Sequence, residues 1–313
     1  KAADDSNVIW ICHALTANSD AADWWEGLVG TGKLFDPAHH YIVCANMLGS
    51  CYGSTQANSI NPATGKIYGA DFPVISIRDM VNSHDILRKH LGIKKIALIL
   101  GGSMGGQQTV EWAIMRPSLF ERVCILASNA VHSPWGIAFN EAQRMAIRTD
   151  PSLYDGTPEA GRTGLEAARA LAMISYRNYI TFAHTQMDRE DKLDDYRASS
   201  YQRYQGKKLG LRFQALPYIS LSKSMDNHNV GRDRGGIEKA LQQITARTLV
   251  IGIKTDILFP LSEQRILAHN IPNGRLEVID STYGHDGFLI EHVQLTNKLR
   301  QFMAEQKSRA QRM

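Results

Sequence analysis

Short apolar runs rich in β-branched residues recur along the chain, with stretches of helical spacing between them. The runs cover residues 7–12, 41–45, 95–100, 122–127, 248–253 and 275–279. Each is too short for a helix and apolar almost throughout, which predicts strands buried on both faces of a mostly parallel sheet. Between them, residues 77–90 place Ile77, Met80, Val81, Ile86 and Leu87 at helical spacing, and residues 261–269 read as a second helix. Alternating strands and helices point to the α/β class, with helices covering the sheet.

The pattern changes between residues 131 and 247. No buried strand is evident there, and the segment is rich in Arg, Ala, Tyr and Met, with helical stretches over residues 164–176 and 218–225. It reads as a helical insertion between two sheet strands. The expected organisation is a core formed by residues 1–130 and 245–313, roofed by a lid of residues 131–244. The charged tail, residues 304–313, is expected to fray.

One turn carries most of the chemical information. Gly101-Gly102-Ser103-Met104-Gly105-Gly106 follows the third apolar run and precedes the helical stretch 107–115. A serine on a sharp strand-to-helix turn needs small residues two positions before and after it, and Gly101 and Gly105 meet that demand. The helix start aims its free N–H groups at the turn, where negative charge is stabilised. Out of context, such a string could be a glycine-rich turn with a solvated serine. Its place between strand and helix favours a nucleophile.

A serine hydroxyl needs a general base, and the base needs an acidic partner that fixes its tautomer. The order Ser, Asp, His along an α/β chain places both partners after later strands. Asp256 follows the run 248–253, and His285, in Gly284-His285-Asp286-Gly287, follows the run 275–279. Alone, Asp256 could cap a turn and His285 could cap the last helix; together with Ser103 they form a candidate triad. The oxyanion of an acyl-transfer intermediate needs two N–H donors. The amide of Met104 supplies one, and the loop His13-Ala14-Leu15-Thr16 after the first run supplies the other through Leu15. His13 is expected to shape that loop rather than act as a base.

Composition narrows the class further. The chain has 313 residues, 21% of them charged, and a formal net charge of +4, which demands neither nucleic acid nor an anionic membrane. The four cysteines, Cys12, Cys44, Cys51 and Cys124, lie in or beside apolar runs without C-x-x-C spacing. They read as buried reduced thiols, which suits a cytoplasmic setting. No apolar run approaches the roughly 20 residues of a membrane span, no signal-peptide pattern opens the chain, and no cluster of His, Asp, Glu or Cys has metal-ligand spacing. The first residue is Lys1, and a strand pattern begins within a few residues, as expected of a processed, truncated or incompletely represented chain.

These residues resemble a known family. The strings N-V-I-W-I-C-H-A-L-T-A-N at 7–18, W-W-E-G at 24–27, S-I-N-P-A-T-G at 59–65, D-F-P at 71–73, I-R-D-M at 77–80, G-G-S-M-G-G at 101–106 and G-H-D-G-F-L at 284–289 are together similar to those of the homoserine O-acetyltransferases. The likeness runs through nearly the whole chain. It implies an α/β-hydrolase fold with a helical lid, a homodimer formed largely through the lid, and a ping-pong reaction. In that reaction acetyl-CoA acylates Ser103 and homoserine then takes the acetyl group, with no permanently bound cofactor. His285 would serve as base in both halves, oriented by Asp256.

The resemblance also implies substrate contacts. Its lid pattern G-L-x-x-A-R, with a tyrosine seven positions later, falls on residues 164–169 and Tyr176. Arg169 would hold the amino-acid carboxylate with help from Tyr176, and Asp286 would meet the ammonium. Arg203, Lys207, Lys208, Arg212, Arg232 and Arg234 could meet CoA phosphates or could simply be solvated. Departures are visible as well. The chain starts at what corresponds to the family's third strand, which would leave a sheet edge exposed. Residues 54–58 lack a Gly-Pro pair, and residues 212–217 read R-F-Q-A-L-P in place of R-F-D-A-x-S. A succinyltransferase acting on homoserine or serine, or an esterase, would use the same triad.

Overall fold

The computed structural model describes residue 4 and residues 6–305, so the charged end of the tail, residues 306–313, lies outside the described part. Six parallel strands form one sheet in the order β2-β1-β3-β4-β5-β6. They are β1 (Val8–Cys12), β2 (Tyr41–Cys44), β3 (Leu98–Gly102), β4 (Arg122–Leu126), β5 (Arg247–Ile253) and β6 (Gly274–Ile279). The reversal of strand order falls between β1 and β3, which pair Cys12 with Gly101. Ligand crevices of open parallel sheets form at the carboxyl ends of strands flanking such a reversal.

Alternation along β1, β3, β4 and β5 explains why those runs are apolar almost throughout, whereas the edge strands β2 and β6 are mostly half-buried, short of the burial on both faces expected of them. Val8, Trp10, Ile99, Val123, Ile125 and Val250 point into one core, against Val110, Trp112 and Leu267 of the covering helices. Ile9, Ile11, Leu98, Leu100, Leu126 and Ile251 point into the opposite core, against Trp25, Leu295, Leu299 and Phe302. A strand buried on both sides has no position for a polar residue, and each large side chain removed from water contributes about 1.5–3 kcal/mol.

Two expectations need correction. The third apolar run, residues 95–100, is displaced: β3 begins at Leu98 and continues through Gly101 and Gly102, and the following helix, Met104–Met115, begins directly after Ser103. Glycines lower strand propensity, so the run of large apolar residues understates the strand's end. Ile86 does not join the buried face of the Ile77–His90 helix; it is 68% exposed, on the side opposite Ile77. His84 and Asp85 are buried in its place, His84 against Gln108 and Asp85 among Arg88, Lys89 and Arg116.

Between β4 and β5 the chain is helical. The Arg162–Tyr176 and Ala215–Asp226 helices extend the two stretches read from sequence, and the Pro134–Arg148, Tyr179–Gln186 and Arg197–Gly210 helices add to them. The Pro134–Arg148 helix starts with a Ser133 cap and a proline in its first turn, a readable start signal. Leu165, Ala168, Leu209, Phe213 and Tyr218 of this segment pack with Leu15, Met104 and Phe259 of the core. The lid therefore rests on the carboxyl ends of the strands, over the turn that holds Ser103.

Candidate active site

Ser103 occupies the turn between β3 and its helix with φ 57° and ψ −124°, a backbone conformation that costs an ordinary residue of order 1–3 kcal/mol. Its surroundings make the turn possible. A Cβ on Gly105 would run into the Cys12 carbonyl of the neighbouring strand, so only glycine lets the helix approach β1 this closely. The Ser103 carbonyl accepts from Ser128 Oγ at 2.8 Å, and the Ser103 N–H donates to the Leu126 carbonyl at 3.0 Å. The turn is thus tied to β4, and Ser103 stays 6% exposed.

His285 and Asp256 meet as an ion-paired unit. His285 Nδ1 lies 2.7 Å from Asp256 Oδ2, and both side chains are buried. The other oxygen, Asp256 Oδ1, accepts from the backbone N–H groups of Leu258 at 2.8 Å and Phe259 at 2.9 Å, which locks the carboxylate. The imidazole stacks on Phe259 at 5.1 Å and has Tyr176 at 5.7 Å and Phe288 edge-on at 5.4 Å. Phe288 also lies against Gly102, which links the histidine to the serine turn. No hydrogen bond joins Ser103 Oγ to His285 among the described residues. Burial acts to push the His285 pKa down, but the charge and hydrogen bond of Asp256, with Asp286 nearby, outweigh it and hold the imidazole above its ordinary 6.5.

The loop after β1 lies beside the serine. Leu15 and Met104 pack in one apolar cluster, and neither backbone N–H donates to an acceptor among the described residues. Two buried unpaired amides are costly in a folded protein, unless a ligand's oxygen completes them. His13 is fully buried, with Nδ1 on the Ala14 carbonyl at 2.9 Å and Nε2 accepting from the Met47 N–H at 3.2 Å. Burial pushes its pKa down to about 4, so it is a neutral brace of this loop.

The structure also places the lid residues. Arg169 lies over the Tyr176 ring, 5.2 Å from its centroid, and its guanidinium makes no ion pair or hydrogen bond among the described residues. Tyr176 in turn touches His285, so an unpaired cation stands one ring away from that imidazole. Asp286 is not free: Arg177 Nη1 lies 3.3 Å from it. Burial raises the Asp286 pKa against the pull of Arg177 and Arg169. Sequence reasoning missed Arg177, though its position directly after Tyr176 was a signal. Of the other basic candidates, Arg234 is bound to buried Glu111 and Arg232 to the Asn227 carbonyl, whereas Arg203 pairs with exposed Asp195. Lys207 and Lys208 are exposed near the end of the Arg197–Gly210 helix.

Among the described residues, no group of three or more His, Cys, Asp or Glu could hold a metal ion, and no helix is long and apolar enough to cross a membrane. A buried Asp–His pair, a serine on a strained turn and two free amides can carry out acyl transfer through a covalent acyl-serine.

Comparison with known proteins agrees with this fold. Residues 7–291 match the family described as the alpha/beta hydrolase fold. The homoserine O-acetyltransferase of Cyclobacterium marinum is 51% identical over 303 residues, covering 97% of this chain and 86% of its own length. Among solved structures, esterase E22 superposes with a TM-score of 0.86 at 26% identity, over 95% of this chain and 90% of its own. The homoserine O-acetyltransferase of Bacillus anthracis superposes with a TM-score of 0.90 over 97% of this chain and 89% of its own; at 24% identity it bears on the fold alone. The chain is an acyltransferase with the α/β-hydrolase fold, and it belongs to the homoserine O-acetyltransferase family.

Proposed function

We propose that the protein moves an acetyl group from acetyl-CoA to the hydroxyl of L-homoserine through an acetyl-Ser103 intermediate, a step of methionine biosynthesis. The observation that carries this reading is the unpaired Arg169 beside Tyr176 and His285. An esterase has no need of a half-buried cation with five free donors next to its base, whereas an amino-acid acceptor brings a carboxylate that fits it.

In the first half-reaction Ser103 Oγ attacks the thioester carbonyl, its proton passes to His285, and the thiolate of CoA leaves and is protonated. In the second, His285 takes the proton of the homoserine hydroxyl, which attacks the acetyl-serine and frees Ser103. Asp256 holds the imidazole and stabilises its charged form. Leu15 and Met104 N–H groups receive the oxyanion in both halves. Arg169 takes the acceptor carboxylate, Tyr176 adds a hydrogen bond, and Asp286, shared with Arg177, meets the ammonium. No permanently bound cofactor enters these steps.

The likeness to esterase E22 supports a second reading, in which water deacylates the enzyme. Free CoA thiol, followed with and without homoserine, separates the two. Acceptor-dependent release supports the transferase, and equal release in both cases supports the esterase. Succinyl-CoA as donor in the same assay tests the acyl group. Arg169→Ala should raise the homoserine KM about 10- to 100-fold while leaving the rate of acylation by acetyl-CoA within about twofold. Equal losses in both half-reactions would give Arg169 another role.

The four thiols are free, in keeping with a reducing compartment such as the cytoplasm; recovery of the native protein in an oxidising compartment would contradict that placement. A homodimer through the lid would cover Tyr179, Ile180 and Leu193, which are 83%, 69% and 98% exposed. Sedimentation at the mass of one chain, 34.9 kDa, would contradict it.

A further inference from the structure

The Leu15 amide sits on a loop that is held from two sides by residues with no part in the triad. From the elbow helix, buried Gln108 donates through Nε2 to the His13 carbonyl at 3.3 Å and to the Met104 carbonyl at 3.2 Å. Its Oε1 pairs with His84 Nε2 at 2.9 Å, which fixes the amide's orientation. One side chain therefore ties together the two backbone segments that carry the Leu15 and Met104 N–H groups. From the lid, Arg212 Nη1 donates to the Thr16 carbonyl at 2.6 Å and reaches Tyr52 Oη at 2.7 Å. Its neighbour Phe213 is buried edge-on against the Tyr52 ring at 5.7 Å, so the lid junction is seated on this loop by two contacts. Leu15 lies between the two anchored carbonyls, His13 and Thr16.

We propose that Gln108 and Arg212 are positioning residues that hold the Leu15 amide in the oxyanion hole, Gln108 from the elbow helix and Arg212 from the lid. The lid thereby takes part in forming the hole as well as in holding the acceptor. The inference rests on the acyl-serine reading above. Its physical basis is that an N–H donor stabilises a developing oxyanion only when it is preorganised, and displacement by about 1 Å costs up to about 100-fold in rate.

The test uses p-nitrophenyl acetate, which needs Ser103 and the oxyanion hole but no amino-acid acceptor. Ser103 Oγ bonds to the carbonyl carbon, its proton passes to His285, and p-nitrophenolate departs with the electrons of the broken C–O bond. Gln108→Met, of similar volume without the amide, should slow acylation about 10- to 100-fold, and Arg212→Ala about 5- to 20-fold, with the ester KM within about twofold. Phenylboronic acid, whose tetrahedral serine adduct directs an oxygen into the hole, should lose affinity by the same factor in each variant. Arg212→Lys, which keeps a donor for the Thr16 carbonyl, should recover most of the loss.

Wild-type acylation rates in both variants would overturn the proposal. So would a slowed acylation with unchanged boronate affinity. If Gln108→Met does not fold, the exposed Arg212 pair of variants decides by the same two readouts. Failure of the unaltered enzyme to form any acetyl-serine contradicts the acyl-serine reading itself, a result separate from equal rates across variants.

Discussion

Replacing Ser103 by alanine should lower acetyl transfer by about 10⁴- to 10⁶-fold while the thermal unfolding midpoint changes little. The Ser103 hydroxyl is the only group removed, and no hydrogen bond among the described residues depends on it. The turn itself is held by the Ser128 Oγ bond to the Ser103 carbonyl and by the close approach of Gly105 to Cys12, both of which alanine preserves. A rate measured with acetyl-CoA and homoserine tests the chemistry, and a melting curve tests the scaffold. Transfer within about tenfold of the unaltered protein would remove Ser103 from the mechanism.

Replacing Asp256 by asparagine should cost about 10⁴-fold in kcat and move the pH profile. The imidazole must be neutral to take a proton. Because Asp256 holds the His285 pKa above 6.5, the unaltered enzyme's rising limb should have its midpoint above that value. Activity is lost as pH falls through it. Asparagine removes the charge and, with its Oδ1 still accepting from Leu258 and Phe259, turns its NH2 toward His285 Nδ1; only the more distant charge of Asp286 then opposes burial, so the midpoint should shift to lower pH. A pH profile of kcat/KM for both proteins checks this, and a rising limb that moves upward or stays fixed would contradict the assignment.

The order of elements and the strand-to-helix turn at Ser103 were legible because they are written locally. Continuous apolar runs mark strands buried on two faces, and the glycines around Ser103 mark a close backbone approach that no other residue permits. Asp256 and His285 could be placed after the ends of β5 and β6, because each follows an apolar run closely. What could not be read depends on tertiary packing. Ile86 has helical spacing that suits burial, yet buried His84 and Asp85 take its place because Gln108 and a cluster of cations satisfy them. Arg177, Gln108 and Arg212 act through partners more than about ten residues away, which no local pattern shows, and the β3 boundary shifted because its last two residues are glycines. Of the lid helices, Tyr179–Gln186 carries little periodicity, because apolar residues stand exposed on it at Tyr179 and Ile180.

The central claim is that acetyl groups pass through Ser103 to an amino-acid hydroxyl. Mass spectrometry of the enzyme mixed with acetyl-CoA, quenched in acid and digested, tests it most directly. The account predicts one acetyl group on the peptide carrying Ser103, stable in buffer on the time of turnover and discharged within that time by homoserine as O-acetylhomoserine. An unmodified Ser103, or an acetyl-serine that water discharges as fast as homoserine does, would contradict it.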